Sequence, residues 1–425
     1  MAHSRPDQNR SWGMKLLAHM LRSFSRRGTL RVIESDGHLS EFAGSEAPVA
    51  TIRLHDPGLP MKLFRSPELH AGEAYMNGRM TLEDCSLADF LGLFSINRAT
   101  IADYPLQSVL RRMSRAVRAF QQYNPVGRAQ TNVAHHYDLS EELYRLFLDD
   151  DMQYSCAYFE TGDETLEEAQ EKKKRHIAAK LALADGQKIL DIGCGWGGMA
   201  LHLAGRANVE VLGVTLSAEQ HRVAVERAKA AGVDDRVRFE LRDYREVDQR
   251  FDRIVSVGMF EHVGATRYDE FFGKVFDLLT DDGLGLLHSI GHMSPPSTAS
   301  PWLRKYIFPG AYSPAMSEVF AATERQHLWV SDVEVLREHY ADTLVEWNRR
   351  FQANRQRIAE LYDERFCRMW EFYLISAETM FRTGAQMVFQ MQFARTRDAA
   401  QLTRDYIFEA ESAYRSRERQ HPTAA

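Results

Sequence analysis

The chain has 425 residues, 44% of them hydrophobic and 11% aromatic, which is enough to bury a sizeable core in two or three units. A formal net charge of -6 at pH 7 supplies no basic field for nucleic acid, and four scattered cysteines with no CxxC pair exclude a disulfide framework or a zinc cluster and fit a reducing cytoplasm. No apolar run approaches the ~20 residues of a transmembrane helix, and the polar start MAHSRPDQNRSWG does not resemble a signal peptide, so a soluble protein that meets lipid only from the surface is expected.

In chain order, residues 1–13 read as a polar tail and residues 14–100 as a small α+β domain. In the latter, VATIRLHD is a strand and SLADFLGLFSI a helix with an apolar face, and HAGEAYMNGRM between them carries the Gly and Asn punctuation of turns. Residues 101–130 are a basic connecting segment. There Leu106, Leu110, Met113, Val117 and Phe120 recur at helical spacing, beside Arg111, Arg115 and Arg118. Such a helix suits either an anionic surface or a position between domains with solvated arginines. The segment MKLLAHMLRSFSRR has the same character.

From residue 131 to the C-terminus the chain reads as one larger α/β domain. KILDIG is a short strand and MALHLAGRA a helix; VEVLGVTLS is a second strand, followed by the helix SAEQHRVAVERAKAAG, which Gly232 ends. VRFELRDY, FDRIVSVG and LGLLHSIG are further strands, with the helix YDEFFGKVFDLL before the last, and FCRMWEFYLISAETMFRTGAQMVFQMQF reads as a helix and a strand closing the domain. Strands alternating with helices imply crossover units and a parallel sheet, whose ligands sit at the carboxyl ends of the strands.

The strongest local signal is LDIGCGWGG, where an apolar strand runs into Gly193, Gly195, Gly197 and Gly198 just after Asp191, and Asp191 is expected to bind the ligand with Gly193 and Gly195. Glycines here allow positive φ and close approach of a ligand to the backbone. The spacing is DxGxGxGG rather than the dinucleotide GxGxxG, and it resembles motif I of the class I SAM-dependent methyltransferases. The second strand ends in VTLSAEQ with no acid at its tip, so Thr215, Leu216 and Gln220 are expected to line the cofactor, while Glu219 reads as part of an ordinary helix cap with Ser217. RDYRE places Asp243 and Tyr244 toward the adenine.

TLS with the following Gln, together with YSCAYF and FEHVG, narrows the reading. The chain resembles the cyclopropane fatty acid synthases and the related mycolic acid cyclopropane synthases from about residue 50 onward. The motifs run in the same order: GEAYMNGRM, HHYDLSEELYRLFLDDDMQYSCAYF, LDIGCGWGG, VTLSAEQ, FDRIVSVGMFEHVG, LLHSIG, PWLRKYIFPG, and Tyr340 before DTLVEW. The resemblance implies a Rossmann-like, mostly parallel sheet with helices on both faces, and the N-terminal unit points to the bacterial branch that acts on phospholipids. It implies that Tyr154, Ser155, Gly193, Gly195, Thr215, Leu216, Gln220 and Tyr244 surround SAM. It places Cys156, Glu261, His288, Ile290 and Tyr340 around a bicarbonate ion.

The implied reaction adds a methylene unit to a cis double bond in a membrane phospholipid acyl chain. An alkene is a poor nucleophile, so positioning against the sulfonium methyl supplies much of the rate. A cation then forms, the site must be dry, and a small base must take one proton so that the ring closes. His288, the Tyr340 hydroxyl and backbone N–H groups near Cys156 and Ile290 would hold the anion, and Glu261 would accept its O–H; the alternative makes Glu261 itself the base. Cys194 in the glycine loop reads as packing, and His262 as a neighbour of the site. Phe271, Phe272, Trp302, Tyr306 and Phe308 follow the catalytic strands and are candidates for an acyl tunnel. The partner expected is a bilayer surface with unsaturated chains, met peripherally from the cytoplasm; a homodimer is allowed. Plain C-methylation or methylenation of an acyl chain without ring closure remains open, and small-molecule N-methylation on the same scaffold and non-catalytic lipid binding rank below it.

Overall fold

The structure, a computed structural model, describes residues 11–44, 47–98, 100, 104–105 and 139–420. The amphipathic pattern at 106–120 and the HHYD part of the motif at 135–138 lie outside the described residues. The chain forms two units: one takes Met1–Arg118, Thr298–Ile307 and Trp347–Ala385, the other Ala119–Ser297, Phe308–Glu346 and Gln386–Ala425.

The first unit holds strands β1 (Thr29–Ile33), β2 (Leu39–Ala43), β3 (Val49–Leu54) and β4 (Met80–Glu83) in the order β2-β1-β3-β4. Only the β1–β3 pair is parallel. The helix Trp12–Phe24 buries Met14, Leu17, Met20, Leu21 and Phe24, so its apolar stripe is used inside its own unit while Lys15 and Arg22 face outward. The stretch expected as turns, HAGEAYMNGRM, is mostly helix: Pro67 opens Pro67–Met76 and the turn comes only at Asn77 and Gly78, where φ is +65°. A single catalytic body from 131 onward is also corrected. The helix Glu364–Thr383 packs on the helices Leu87–Ile96 and Pro67–Met76 through Cys367, Trp370, Phe372 and Leu374. Its partners lie almost 300 residues upstream, a distance no local pattern encodes.

The second unit is built on β5 (Lys188–Ile192), β6 (Glu210–Thr215), β7 (Val237–Leu241), β8 (Phe251–Val257), β9 (Leu279–His292), β10 (Trp329–Leu336) and β11 (Gln386–Ala394). Their order is β10-β11-β9-β8-β5-β6-β7, parallel from β7 to β9, with β11 and β10 antiparallel. Strand alternation sends Leu190 and Ile192 to the layer carrying helix Tyr268–Leu278, and Ile189 to the layer carrying helices Leu166–Lys180 and Gly198–Arg206. Both faces of the sheet are thus covered. After β7 the chain crosses back to pair β8 with β5, so the order reverses there and opens a crevice at the carboxyl ends of the strands. No helix among the described residues is long and apolar enough to cross a membrane.

Candidate active site

The first half of the site is the crevice itself. After β5 the backbone takes φ of +80° at Gly193, +54° at Gly195 and +85° at Gly197, a region that disfavours side chains. A Cβ at Gly193 would lie 2.8 Å from Met259 Cβ, whereas one at Gly195 would meet nothing within 4 Å and project into open space. One cavity is lined by all ten residues expected to touch the cofactor: Tyr154, Ser155, Asp191, Gly193, Gly195, Thr215, Leu216, Gln220, Asp243 and Tyr244. The Thr215 hydroxyl donates to Gln220 Oε1 at 3.0 Å, fixing the amide at the tip of β6. Glu219 pairs with Arg222 on the exposed helix surface, and Ser217 caps that helix by accepting from the Gln220 N–H. Asp243 is less free than expected: Arg245 donates to Oδ1 at 2.9 Å and to Oδ2 at 2.7 Å. Burial pushes the Asp191 carboxyl up to about 7, and its Oδ2 has no hydrogen-bond partner.

The second half lies at the ends of β8 and β9. Glu261 sits in a short 3-10 turn, Phe260–His262, just after β8. The Ile290 N–H donates to its Oε1 at 2.6 Å. Burial still pushes this carboxyl up to about 7, against the pull of that N–H, and Oε2 is buried without a partner. The Ile290 N–H expected to hold an anion is therefore already committed to Glu261. His288 stands opposite Val257 across the β8–β9 pair, and its carbonyl accepts from the Gly258 N–H at 2.9 Å. Burial depresses its pKa far below the usual imidazole range, and neighbouring lysines push the same way, so the ring is neutral. Its Nδ1 accepts from Gln390 Nε2 at 3.2 Å, and its Nε2 has no partner.

The segment carrying Tyr154, Ser155 and Cys156 is tied to the helix His339–Ala353. The Ala157 N–H donates to Thr343 Oγ1 and the Phe159 N–H to His339 Nδ1, each at 3.0 Å. Buried Tyr340 occupies the first turn of that helix, between these two anchors. Burial holds the Cys156 thiol well above its ordinary pKa, and it donates to the Ala157 carbonyl at 3.2 Å. It is a neutral thiol rather than a nucleophile.

Residues 126–391 match the family model described as mycolic acid cyclopropane synthetase. The chain belongs to this family. It is 38% identical over 349 residues to the cyclopropane-fatty-acyl-phospholipid synthase of Escherichia coli, covering 81% of this chain and 88% of that one. It is 33% identical to the tuberculostearic acid methyltransferase of Mycobacterium tuberculosis over 392 residues, covering 88% and 90%. Among solved structures, a cyclopropane synthase from Mycobacterium tuberculosis superposes with a TM-score of 0.60 at 32% identity, covering 64% of this chain and 99% of that one. A related mycolic acid cyclopropane synthase, solved with SAH and CTAB, gives 0.60 at 35% identity with the same coverage. A coclaurine N-methyltransferase gives 0.63 at 22%, a likeness of fold only. A member of this family is a SAM-dependent methyltransferase.

The family assignment directs attention to the acyl-chain candidates, which the structure disperses. Phe271 and Phe272 are 1% and 0% exposed in the core of the second unit, packed edge-on and tilted against Phe260, and neither lines the crevice. Trp302 belongs to the first unit, buried against Phe372 and Gly72. Tyr306, also in the first unit, donates its hydroxyl to Glu73 at 2.9 Å. These rings are candidates because they follow the catalytic strands, but aromatics at such spacings more often serve packing. Phe308 alone stands near the site, its ring centroid 6.3 Å from that of crevice-lining His262.

Two residues were missed. Lys173 is fully buried and donates to Gln153 Oε1 at 2.6 Å and to Ser155 Oγ at 2.8 Å, bracing the crevice wall, and burial lowers its pKa to about 8. Gln390 is fully buried and donates to His288 Nδ1. The signal for Lys173 was present: Leu166, Ala169, Gln170, Lys173 and Ile177 recur at the spacing of one helix face, and the helix is buried all round from Lys173 to Lys180, where a lysine needs a reason.

Proposed function

We propose that the chain is a cyclopropane-fatty-acyl-phospholipid synthase that uses SAM on cis-unsaturated acyl chains of membrane phospholipids, with bicarbonate as the base beside Glu261. The observation that carries this reading is a pair of buried, unpartnered atoms of opposite character: Oε2 of Glu261 and Nε2 of His288. With Nδ1 accepting from Gln390, Nε2 bears the hydrogen and is a donor. Bicarbonate carries both an O–H and an anionic oxygen, so it fits a site offering one acceptor and one donor. A carboxylate alone would leave the donor unused.

When bound, SAM supplies an electrophilic methyl group and bicarbonate a weak base. The residues of the chain hold, orient and dry these partners. Gly193 and Gly195 let the donor approach the backbone, while Thr215, Gln220 and Asp243 bound its nucleoside end. Glu261 fixes the orientation of the anion by accepting its O–H, and His288 donates to it. Tyr340 adds a hydroxyl from the helix that anchors Ala157 and Phe159. The burial that raises Glu261 and depresses His288 also excludes the water that would quench a cation. The lipid is met at the bilayer surface from the cytoplasmic side, the N-terminal unit serving lipid contact. The 33% identity to a tuberculostearic acid methyltransferase along 88% of this chain supports a second reading, methylation without ring closure.

The test incubates the purified full chain with SAM and vesicles of cis-unsaturated phosphatidylglycerol, followed by gas chromatography–mass spectrometry and proton NMR of the released acyl chains. The expected product is one methylene heavier, resists hydrogenation and shows high-field ring protons. A branched or exo-methylene chain without those protons would establish the second reading. In carbonate-free buffer the rate should fall and return when bicarbonate is added. An unchanged rate would make Glu261 the base.

A further inference from the structure

The antiparallel half of the large sheet contains a polar row that extends the His288–Gln390 pair away from the site. In the strand register Glu334 of β10 stands opposite Gln390 of β11, and Gln390 stands opposite His288 of β9. Cross-strand partners share a face, so the three side chains form one line ending at the reaction site. Lys180, on the helix Leu166–Lys180, donates to Glu334 Oε2 and, at 2.9 Å, to Gln390 Oε1. His176, one turn earlier, holds the same Glu334 oxygen at 2.7 Å and Glu411 Oε1 at 2.5 Å. Lys180 and Gln390 are 0% exposed and His288 2%, so bulk water does not compete for the bonds that Gln390 makes to the other two, while Glu334 at the outer end is partly exposed.

The row has a direction. An ammonium group only donates, so the Gln390 oxygen must face Lys180. Its NH2 group then faces His288 Nδ1 at 3.2 Å and requires a lone pair there. A neutral imidazole has one hydrogen, which is left on Nε2. We propose that Lys180, acting through Gln390, is a positioning residue that holds His288 in the Nε2–H tautomer, so that the ring meets the reaction site as a donor. Glu334 and His176 hold Lys180 in place. The role deepens the function proposed above and rests on it only for what His288 donates to; the tautomer itself is a property of the protein alone.

The test reads the tautomer and turnover separately. Full-length protein with 15N-labelled histidine gives ring nitrogen spectra that distinguish the two neutral tautomers from the cation, without SAM or lipid present. Wild type should show Nε2–H for His288. The double variant Lys180→Met/Glu334→Gln removes both charges together, so neither is stranded. It should release the amide, bring in the Nδ1–H form and lower kcat about tenfold with KM for SAM within about twofold. Gln390→Glu places an acceptor against Nδ1; it should move the hydrogen to Nδ1 or charge the ring, and lower kcat by about a hundredfold. An Nδ1–H ring in wild type would overturn the proposal. So would a double variant that keeps Nε2–H, whether kcat stays or falls, because the effect would then be packing. If wild type made no ring product while the tautomer responded as stated, the function proposed above would fail and the positioning role would stand.

Discussion

The two halves of the site are built by different means: the crevice lining includes the cofactor candidates but not Cys156, Glu261, His288, Ile290 or Tyr340. At the cofactor end, β5 and β6 finish in glycines and short polar side chains, and the decisive feature is backbone shape: φ of +80° and +54° at Gly193 and Gly195. At the reaction end, β8, β9 and β11 contribute Glu261, His288 and Gln390, and the decisive feature is which side chains meet across strands. Each end nevertheless carries one buried carboxyl raised to about 7, Asp191 in the first and Glu261 in the second, with an unpartnered oxygen. Under the proposed function, the difference teaches that the first end selects a ligand by shape and close approach, whereas the second controls protons. Substitutions should therefore separate binding from turnover.

The largest expected effect breaks the second end alone. Glu261→Gln should lower turnover about a thousandfold, with the SAM dissociation constant by calorimetry within about twofold. A collapse of SAM affinity would show that the two ends are one.

The buried carboxyls sharpen the comparison through pH. Glu261 has a folded pKa of about 7, above its ordinary 4.5, so its contribution to stability is full below 4.5 and is lost as pH rises through 7. Asp191, raised from 3.8 to about 7, has the same sign. In urea unfolding without SAM, the fall in stability between pH 5 and pH 8 should shrink in Glu261→Gln by on the order of 2 to 3 kcal/mol. Asp191→Asn should shrink it comparably, and a fall no different from that of wild type in either variant would remove that carboxyl from the account.

Gly193→Ala acts on backbone shape. A positive φ and a Cβ 2.8 Å from Met259 should cost about 1 to 3 kcal/mol, seen as weaker SAM binding and a lower Tm, with the pH dependence of turnover unchanged. The smallest effect expected is that of Tyr340→Phe, about tenfold in kcat with lipid affinity held. An unchanged rate would take Tyr340 out of the reaction.

The cofactor end was legible because its determinants are local. Apolar strand, glycines at fixed offsets and a helix start occupy nine consecutive residues, LDIGCGWGG. Asp243 was placed on the same grounds, yet its pairing with Arg245 two residues later was not anticipated. At the reaction end, Glu261 and His288 were identified through their motifs, but the use of the Ile290 N–H by Glu261 was not, because it joins positions 29 apart through strand pairing. Lys173 was hidden in a run of charges, KKKR, that looks solvated, although Lys173, Lys174 and Arg175 are all buried in the folded chain.

By itself the sequence determined the strand and helix rhythm and the glycine turn, since each rests on spacings of a few residues that chain geometry translates directly into shape, and its motifs carried the resemblance to the family. Only the tertiary structure decided that Phe271 and Phe272 are core, that Glu364–Thr383 belongs with the N-terminal segments, and that Lys180 reaches Gln390 across 210 positions. Those outcomes depend on register and packing between distant segments. The free energy that selects them is spread over the whole core, and no short window of residues contains it.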